Sequence, residues 1–320
     1  MKRPDGTITS ENLKLSKEEI PSPGDGQLLV KNLYMSIDPT HRIWMSDIPQ
    51  YMPCVQLGEV MRAVTLGVVT ESKNPDWKVG THVVGMGGIC DYYVGIPGVN
   101  VLNAVDDAST TNLSVASLLM GLTAWVGVNI LEVKEGDVCV VSGAAGAVGS
   151  IAAQLCKVRG AKVVGIAGGP KKCAWLTSEL GLDLAIDYKT QDIEKVLKEF
   201  APDGVTGYFD NVGGSVTDAV LLTMKNFGKV AICGSISEYN DEWVGVKNFN
   251  MVLMRRLTVK GYICTDHMSE YPACLREIME LVKAGKIKYS EDIREGLENY
   301  IDVLNLLFTG GNTGKLIIKN

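Results

Sequence analysis

The residues of this chain best placed to do chemistry begin at Gly143. The stretch Gly143-Ala144-Ala145-Gly146-Ala147-Val148-Gly149 follows a short apolar run, residues 137–142, and an amphipathic segment opens immediately after it. Small residues at this spacing have a physical use. The first glycine permits a tight turn, the second lets backbone N–H groups approach a pyrophosphate, and the third lets a helix pack close to its strand. The positive end of the helix would then face the phosphates. The spacing is GxxGxxG rather than GxGxxG, so it is the flanking strand and helix that give the pattern its meaning. A purely structural glycine turn is the competing reading.

A second stretch, Gly165-Ile166-Ala167-Gly168-Gly169-Pro170-Lys171-Lys172, ends the next apolar run, and no acidic residue occurs between Lys162 and Glu179. An NAD site places an Asp or Glu here to accept the ribose 2′-hydroxyl. Two lysines and several small residues suit a 2′-phosphate instead, so NADP(H) is the expected cofactor. The alternative is that Lys171 and Lys172 are only the solvated first turn of a helix, although cations there oppose its dipole. A metal is not expected. The chain has three histidines (His41, His82, His267), none in a HExxH pattern, and its eight cysteines form no CxxC pair. Without a metal to polarise an alkoxide, alcohol dehydrogenation is disfavoured.

These turns need a scaffold, and the order of elements supplies one. From residue 137 the sequence alternates strands and helices: strands at 137–142, 162–167, 184–188, 207–212 and 229–234, helices at 147–159, 171–180, 193–200 and 215–227. Fully apolar strands alternating with helices predict a parallel sheet covered on both faces. The first 115 residues read differently. Short strands at 27–33, 64–71 and 81–86 lie among dense Pro and Gly, which predicts a β-rich, barrel-like domain. The tail adds helices at 269–284 and 296–308 and a strand at 315–319. The expected organisation is a β-rich domain in residues 1–115, a dinucleotide-binding domain in 116–262, and a return segment, 263–320, completing the first.

Composition narrows the function classes. A chain of 320 residues, 46% hydrophobic and 21% charged, is neither collagen-like nor mostly disordered. A net charge of −6 offers no overall basic balance for phosphate neutralisation, so a nucleic-acid partner is not expected. The absence of an unbroken run of about 18 apolar residues argues against a membrane span. The start, Met1-Lys2-Arg3-Pro4-Asp5-Gly6, lacks the apolar core of a secretion signal. Scattered cysteines in apolar runs read as buried thiols of a reducing compartment, so a cytoplasmic location is expected.

Four motifs then occur in order: Gly-Ala-Ala-Gly-Ala-Val-Gly-Ser at 143–150, Tyr208-Phe209-Asp210-Asn211-Val212-Gly213-Gly214, Cys233-Gly234-Ser235-Ile236-Ser237-Glu238-Tyr239-Asn240 and Gly310-Gly311-Asn312-Thr313-Gly314-Lys315. With Asn32-Leu33-Tyr34-Met35-Ser36-Ile37-Asp38-Pro39 and Arg42, they resemble the zinc-independent medium-chain dehydrogenase/reductases. The branch resembled is that of prostaglandin reductases and NADP-dependent alkenal double-bond reductases. Leu57-Gly58-Glu59 resembles the Gly-His-Glu of the zinc enzymes without its histidine, and their four-cysteine lobe is missing. Two departures stand out. The family usually starts with a further strand before Lys2-Arg3-Pro4, which reads as an N-terminal shortening. Residues 45–61 differ from the animal enzymes around the substrate pocket.

The resemblance implies a GroES-like β-rich domain with a Rossmann domain inserted in it, and a homodimer. It implies that Gly146, Ala147 and Val148 lie along the pyrophosphate and that Lys172 and Tyr188 grip the 2′-phosphate and adenosine ribose. Asn211 and the turn Cys233, Gly234, Ser235 would line the nicotinamide side. Asn312 would reach the cofactor from the C-terminal segment, and Thr123 matches a further nucleotide-site position. As turn formers, Asn211 and Asn312 also have a purely local reading. Tyr239, in the family's substrate-facing stretch, is the candidate hydrogen-bond donor and proton source, and Tyr51 is a second candidate. The expected reaction is NADPH-dependent reduction of the carbon–carbon double bond of an α,β-unsaturated ketone or aldehyde. The alternatives are an NADPH:quinone oxidoreductase and a non-catalytic NADPH-binding protein.

Overall fold

The computed structural model describes residues 2–320 and resolves two compact units. The first unit comprises the residues up to Ser117 together with Glu291–Asn320, and the second is Leu118–Ser290. In chain order the first holds β1 (Leu28–Ser36), α1 (Thr40–Trp44), β2 (Thr65–Ser72), β3 (His82–Gly85), β4 (Tyr92–Gly95), β5 (Val101–Val105) and α2 (Thr111–Ser114). The second begins with a π-helical turn, Leu118–Leu122, that runs into α3 (Thr123–Leu131). There follow β6 (Val138–Ser142), α4 (Ala147–Val158), β7 (Lys162–Ala167), α5 (Pro170–Ser178), β8 (Leu184–Asp187), α6 (Ile193–Phe200) and β9 (Val205–Asp210). Then come α7 (Gly214–Leu221), β10 (Met224–Ile232), α8 (Asn250–Met254), β11 (Thr258–Gly261) and α9 (Tyr271–Lys283). The chain returns to the first unit with β12 (Glu291–Glu295), α10 (Tyr300–Thr309) and β13 (Lys315–Lys319).

The second unit carries a six-stranded sheet in the order β11-β10-β9-β6-β7-β8, every neighbouring pair parallel. Counted from β6, that is the 3-2-1-4-5-6 order of a doubly wound Rossmann sheet. The order reverses between β6 and β9, and ligands of such sheets bind outside the carboxyl ends of the strands at that point. Val140, Val164, Ile186, Val205 and Val230 are each at most 1% exposed, so the sheet is buried on both faces as the apolar strands require. The first unit has a mixed sheet in the order β12-β13-β1-β2-β3-β5, with β4 also paired to β1. A buried ion pair, Lys315 Nζ to Asp38 Oδ1 at 2.7 Å, joins β13 to the residues after β1. This is the GroES-like and Rossmann pair that the resemblance implies.

Several boundaries differ from the sequence reading. The helix expected over 215–227 stops at Leu221, because β10 already starts at Met224. Phe227 there adopts φ 64, a left-handed conformation incompatible with a continuing helix, and its N–H donates to Arg255 O. Residues 263–290 belong to the second unit rather than to the return segment. Trp125 Nε1 donates to Glu277 Oε2 at 2.6 Å, and Gln154 exchanges two hydrogen bonds with the Lys288 backbone, which secures this stretch to α3 and α4. The stretch Thr111–Leu131, which spans α2, the π-helical turn and α3, is 21 residues long and by length and composition alone apolar enough to cross a membrane. Of its most apolar window, 65% is buried inside the structure, as in a core helix.

Candidate dinucleotide site

The glycine turn lies at the switch point. Gly143 follows β6 with φ +59, the left-handed value a tight turn needs. A Cβ on Gly149 would lie 2.3 Å from Gly143 O and 3.0 Å from Ala144 Cα, so α4 can pack this close to the turn only without one. Gly146 has extended φ/ψ, and its Cβ would meet only Gly143 O at 3.2 Å. No side chain among the described residues caps α4 at Gly146, and the first intrahelical bond there is Ser150 N to Gly146 O. The N–H groups of Ala147, Val148 and Gly149 therefore form the open first turn of a twelve-residue helix, with a cradle that a side chain at 146 would fill. This arrangement fits a pyrophosphate.

Asn211 sits beside this turn: its Cβ is 3.4 Å from where a Cβ of Gly143 would be. Its Nδ2 donates to Ser142 O at 2.6 Å and its N–H donates to Ser142 Oγ at 2.9 Å, so it bolts the end of β9 to the end of β6. Beneath it is a residue to which the sequence reading assigns no role. Asp210 is 1% exposed, and its carboxylate accepts from Ser142 Oγ, Tyr208 OH, Thr217 Oγ1 and the N–H groups of Val212 and Gly213. It knits β6, β9 and α7 together under the switch point. Only its place in the Tyr208–Gly214 motif hints at this, since hydrogen bonding to a residue 68 positions away leaves no periodic signal.

The 2′-phosphate candidates follow the adjacent strands β7 and β8. Lys172 lies in the first turn of α5, and Tyr188, 47% exposed, follows β8. A Cβ on Gly168 would be 2.8 Å from the Tyr188 ring, so the ring lies on the turn that leads into α5. Asp187 fastens that turn: its Oδ1 accepts from Gly169 N at 2.9 Å and Lys189 N at 3.1 Å. These backbone donors, Gly169 first, hold its carboxyl below the usual range. Asp187 is thus engaged with backbone.

On the other side, Cys233 and Gly234 both donate their N–H to Asp210 O. Burial pushes the Cys233 thiol up to about 12, so it packs as a neutral group. Tyr262 in turn donates to Thr123 O at 2.8 Å, which ties α3 to this end of the sheet. Ser235 N donates to the Tyr239 hydroxyl at 3.3 Å, and a Cβ on Gly234 would stand 3.0 Å from that oxygen. Tyr239 therefore folds back over its own turn. Tyr51 and Asn312 belong to the first unit. Tyr51 is 45% exposed and accepts from Trp44 Nε1 at 2.9 Å. Asn312, 8% exposed, donates to Gly314 O at 3.1 Å, a local turn contact.

Residues 1–102 match the family described as N-terminal domain of oxidoreductase, and residues 147–283 match that described as zinc-binding dehydrogenase. The chain is 36% identical to the NADPH-dependent curcumin reductase of Escherichia coli (strain K12), over 99% of this chain and 94% of the relative. It is also 36% identical to the 2-alkenal reductase (NADP(+)-dependent) of Nicotiana tabacum, over 99% of this chain and 93% of the relative. The chain belongs to the zinc-independent medium-chain dehydrogenase/reductases. A solved member of similar shape is CurA from Vibrio vulnificus, crystallised in complex with NADPH. Its TM-score is 0.93 at 34% identity, covering 99% of this chain and 97% of that one. Although one matching family is named for zinc, among the described residues no group of three or more His, Cys, Asp or Glu side chains is placed to hold a metal ion. Glu59, in the stretch resembling Gly-His-Glu, is exposed and accepts from Gln56 N at 2.9 Å.

Proposed function

We propose that this medium-chain reductase uses NADPH to reduce the carbon–carbon double bond of α,β-unsaturated aldehydes and ketones. The observation that carries the reading is the open first turn of α4 at the switch point, flanked by Lys172 and Tyr188 on one side and Tyr239 on the other. Full-length identity to a curcumin reductase and a 2-alkenal reductase supports the same substrate class. The backbone of Ala147, Val148 and Gly149 would hold the pyrophosphate, and Lys172 with Tyr188 the 2′-phosphorylated ribose. Asn211, the Cys233–Ser235 turn, Thr123 and Asn312 are the remaining proposed contacts. The cofactor supplies a hydride.

Addition of hydride at the β-carbon moves negative charge to the carbonyl oxygen. Tyr239 donates a hydrogen bond to that oxygen, which stabilises the charge where it develops. A phenol hydroxyl carries the hydrogen this bond needs. The enolate then takes a proton at the α-carbon, and Tyr239 is the proposed source, refilled from solvent. Tyr51 is proposed as a second substrate-facing hydroxyl.

A homodimer and a reducing, cytoplasmic setting complete the proposal. Edge strand β11 is exposed along all four residues, with Phe249, Leu253 and Met254 exposed on the preceding segment. An open edge of this kind is a template for pairing with another copy. All eight cysteines are free thiols.

The test is NADPH consumption with a medium-chain 2-alkenal, a conjugated enone and a para-quinone in parallel, with the products identified. A saturated carbonyl product, with NADPH strongly preferred to NADH, is expected. Turnover of the quinone alone, or NADPH binding with no turnover of any acceptor, overturns the reading.

A further inference from the structure

Asp210 is the last residue of β9 and is 1% exposed, and every group that satisfies it is neutral. Its Oδ1 accepts from the N–H groups of Val212 at 2.9 Å and Gly213 at 3.0 Å, from Ser142 Oγ at 3.0 Å and from Tyr208 OH at 2.8 Å. Its Oδ2 accepts from Thr217 Oγ1. These bonds satisfy the oxygen lone pairs and leave the charge. Among the described residues no Lys, Arg or His forms an ion pair with Asp210, whereas buried Asp38 has Lys315 Nζ at 2.7 Å. The amino end of α7 offsets roughly half a unit of charge at most. A buried anion without a cation is costly. Its field reaches its neighbours: it adds to burial in raising the Tyr208 hydroxyl, and it contributes to raising the Cys233 thiol just after β10.

The order of the sheet says which cation belongs above this carboxylate. A dinucleotide crosses the carboxyl ends of the strands where the order reverses, between β6 and β9. The pyrophosphate cradle follows β6, and Lys172 and Tyr188, the groups proposed for the phosphorylated ribose, follow β7 and β8. The nicotinamide half then falls over the ends of β9 and β10. Asp210 O accepts from Cys233 N at 2.8 Å and Gly234 N at 3.1 Å, which joins those two ends directly above the buried side chain. When NADPH gives up a hydride, with the electron pair of its C–H bond, to an electrophilic carbon, its ring passes from neutral to singly positive.

We propose that Asp210 is the counter-charge of the oxidised nicotinamide, stabilising NADP+ relative to NADPH and so making the bound cofactor a stronger hydride donor. The proposal rests on the NADPH reading above and on no feature of the acceptor. Neutral hydrogen-bond partners suit this role, because a lysine on the carboxylate would cancel the field. Burial beneath the main chain suits it too, since a charge withdrawn from water is little screened.

Asp210→Asn removes the charge and keeps the shape. The amide oxygen can take the place of Oδ1, and the amide nitrogen can donate to Thr217 Oγ1, which then turns its hydrogen to Tyr208 OH, 3.2 Å away. In equilibrium titrations of this variant, affinity for NADP+ should fall about tenfold more than affinity for NADPH, the order of one buried charge partly offset by α7. That ratio corresponds to a rise of about 30 mV in the potential of the bound two-electron couple. Thr217→Val loosens the same carboxylate but keeps its charge, so the melting temperature should fall while the affinity ratio stays within about twofold. A ratio unmoved in Asp210→Asn, or moved as far in Thr217→Val, overturns the proposal. The parent gives a reading that no misfolded variant can spoil: it should bind NADP+ more tightly than NADPH, and the reverse order overturns the proposal. A folded parent that binds neither form overturns the NADPH reading instead.

Discussion

Replacing Gly149 with alanine tests the core of the site. An added Cβ would lie 2.3 Å from Gly143 O, 2.9 Å from Gly143 C and 3.0 Å from Ala144 Cα. An ordinary carbon–oxygen contact is about 3.3 Å, so α4 must retreat by roughly 1 Å. Every obstructing atom is backbone, and no flexible side chain can yield. Alanine is the better helix former by up to about 1 kcal/mol, which favours the variant. Overpacking against a fixed neighbour costs about 1–3 kcal/mol, and a 1 Å displacement of binding groups weakens their function by up to about 100-fold. The clash should win. Gly149→Ala is expected to lower the melting temperature by about 4–8 °C and to weaken NADPH binding by about 30-fold or more. Gly146→Ala is the matched control. Its Cβ meets only one atom, at 3.2 Å, and its extended backbone accepts alanine, so stability should change by less than about 1 kcal/mol. The methyl would nevertheless fill the cradle, and NADPH affinity should still fall by about tenfold. NADPH fluorescence titrations beside thermal melts separate the two. If Gly149→Ala melts and binds like the parent, or if both variants lose stability equally, the geometry argued for the turn is wrong.

Lys172→Ala should narrow the preference for NADPH over NADH, measured as the ratio of kcat/KM values; an unaltered ratio places the 2′-phosphate elsewhere. Tyr239→Phe should lower enone turnover by about tenfold or more with NADPH affinity within about twofold, and unchanged turnover removes Tyr239 from the reaction. His41 predicts a pH dependence of stability. Burial depresses its folded pKa from 6.5 to about 4, so between those values the unfolded chain binds a proton that the folded chain refuses. Stability should therefore rise with pH across this window, by up to about 1.4 kcal/mol per unit from this group. Urea titrations at several pH values should show a shallower slope for His41→Gln, and parallel slopes would refute the assignment.

The parts of the site set by local physics are legible in the amino-acid sequence. A turn that needs left-handed backbone and close approach demands glycine, so Gly143, Gly146 and Gly149 stand out by type and spacing. Strands buried on both faces must be apolar throughout, which marks β6 and β7 to within a residue. What depends on distant partners is not legible there. β11 and β12 are short, β11 exposed and β12 half-buried at its start, and neither carries an alternation to detect. The helix expected through Phe227 looks continuous because nothing local signals that its backbone turns left-handed to meet Arg255 O. Asp210 reads as one polar residue in a glycine-rich motif, yet folding brings Ser142 and Thr217 onto its carboxylate. Trp44 and Tyr51 read as two unrelated aromatics, and it is α1 and its loop that bring an indole N–H to a phenol oxygen. Backbone conformation and the order of the elements are written in the chain itself, because steric freedom and hydrophobic period act over a few residues. Which polar atoms meet is settled by the fold, because a buried donor must find its acceptor wherever distant segments deliver one.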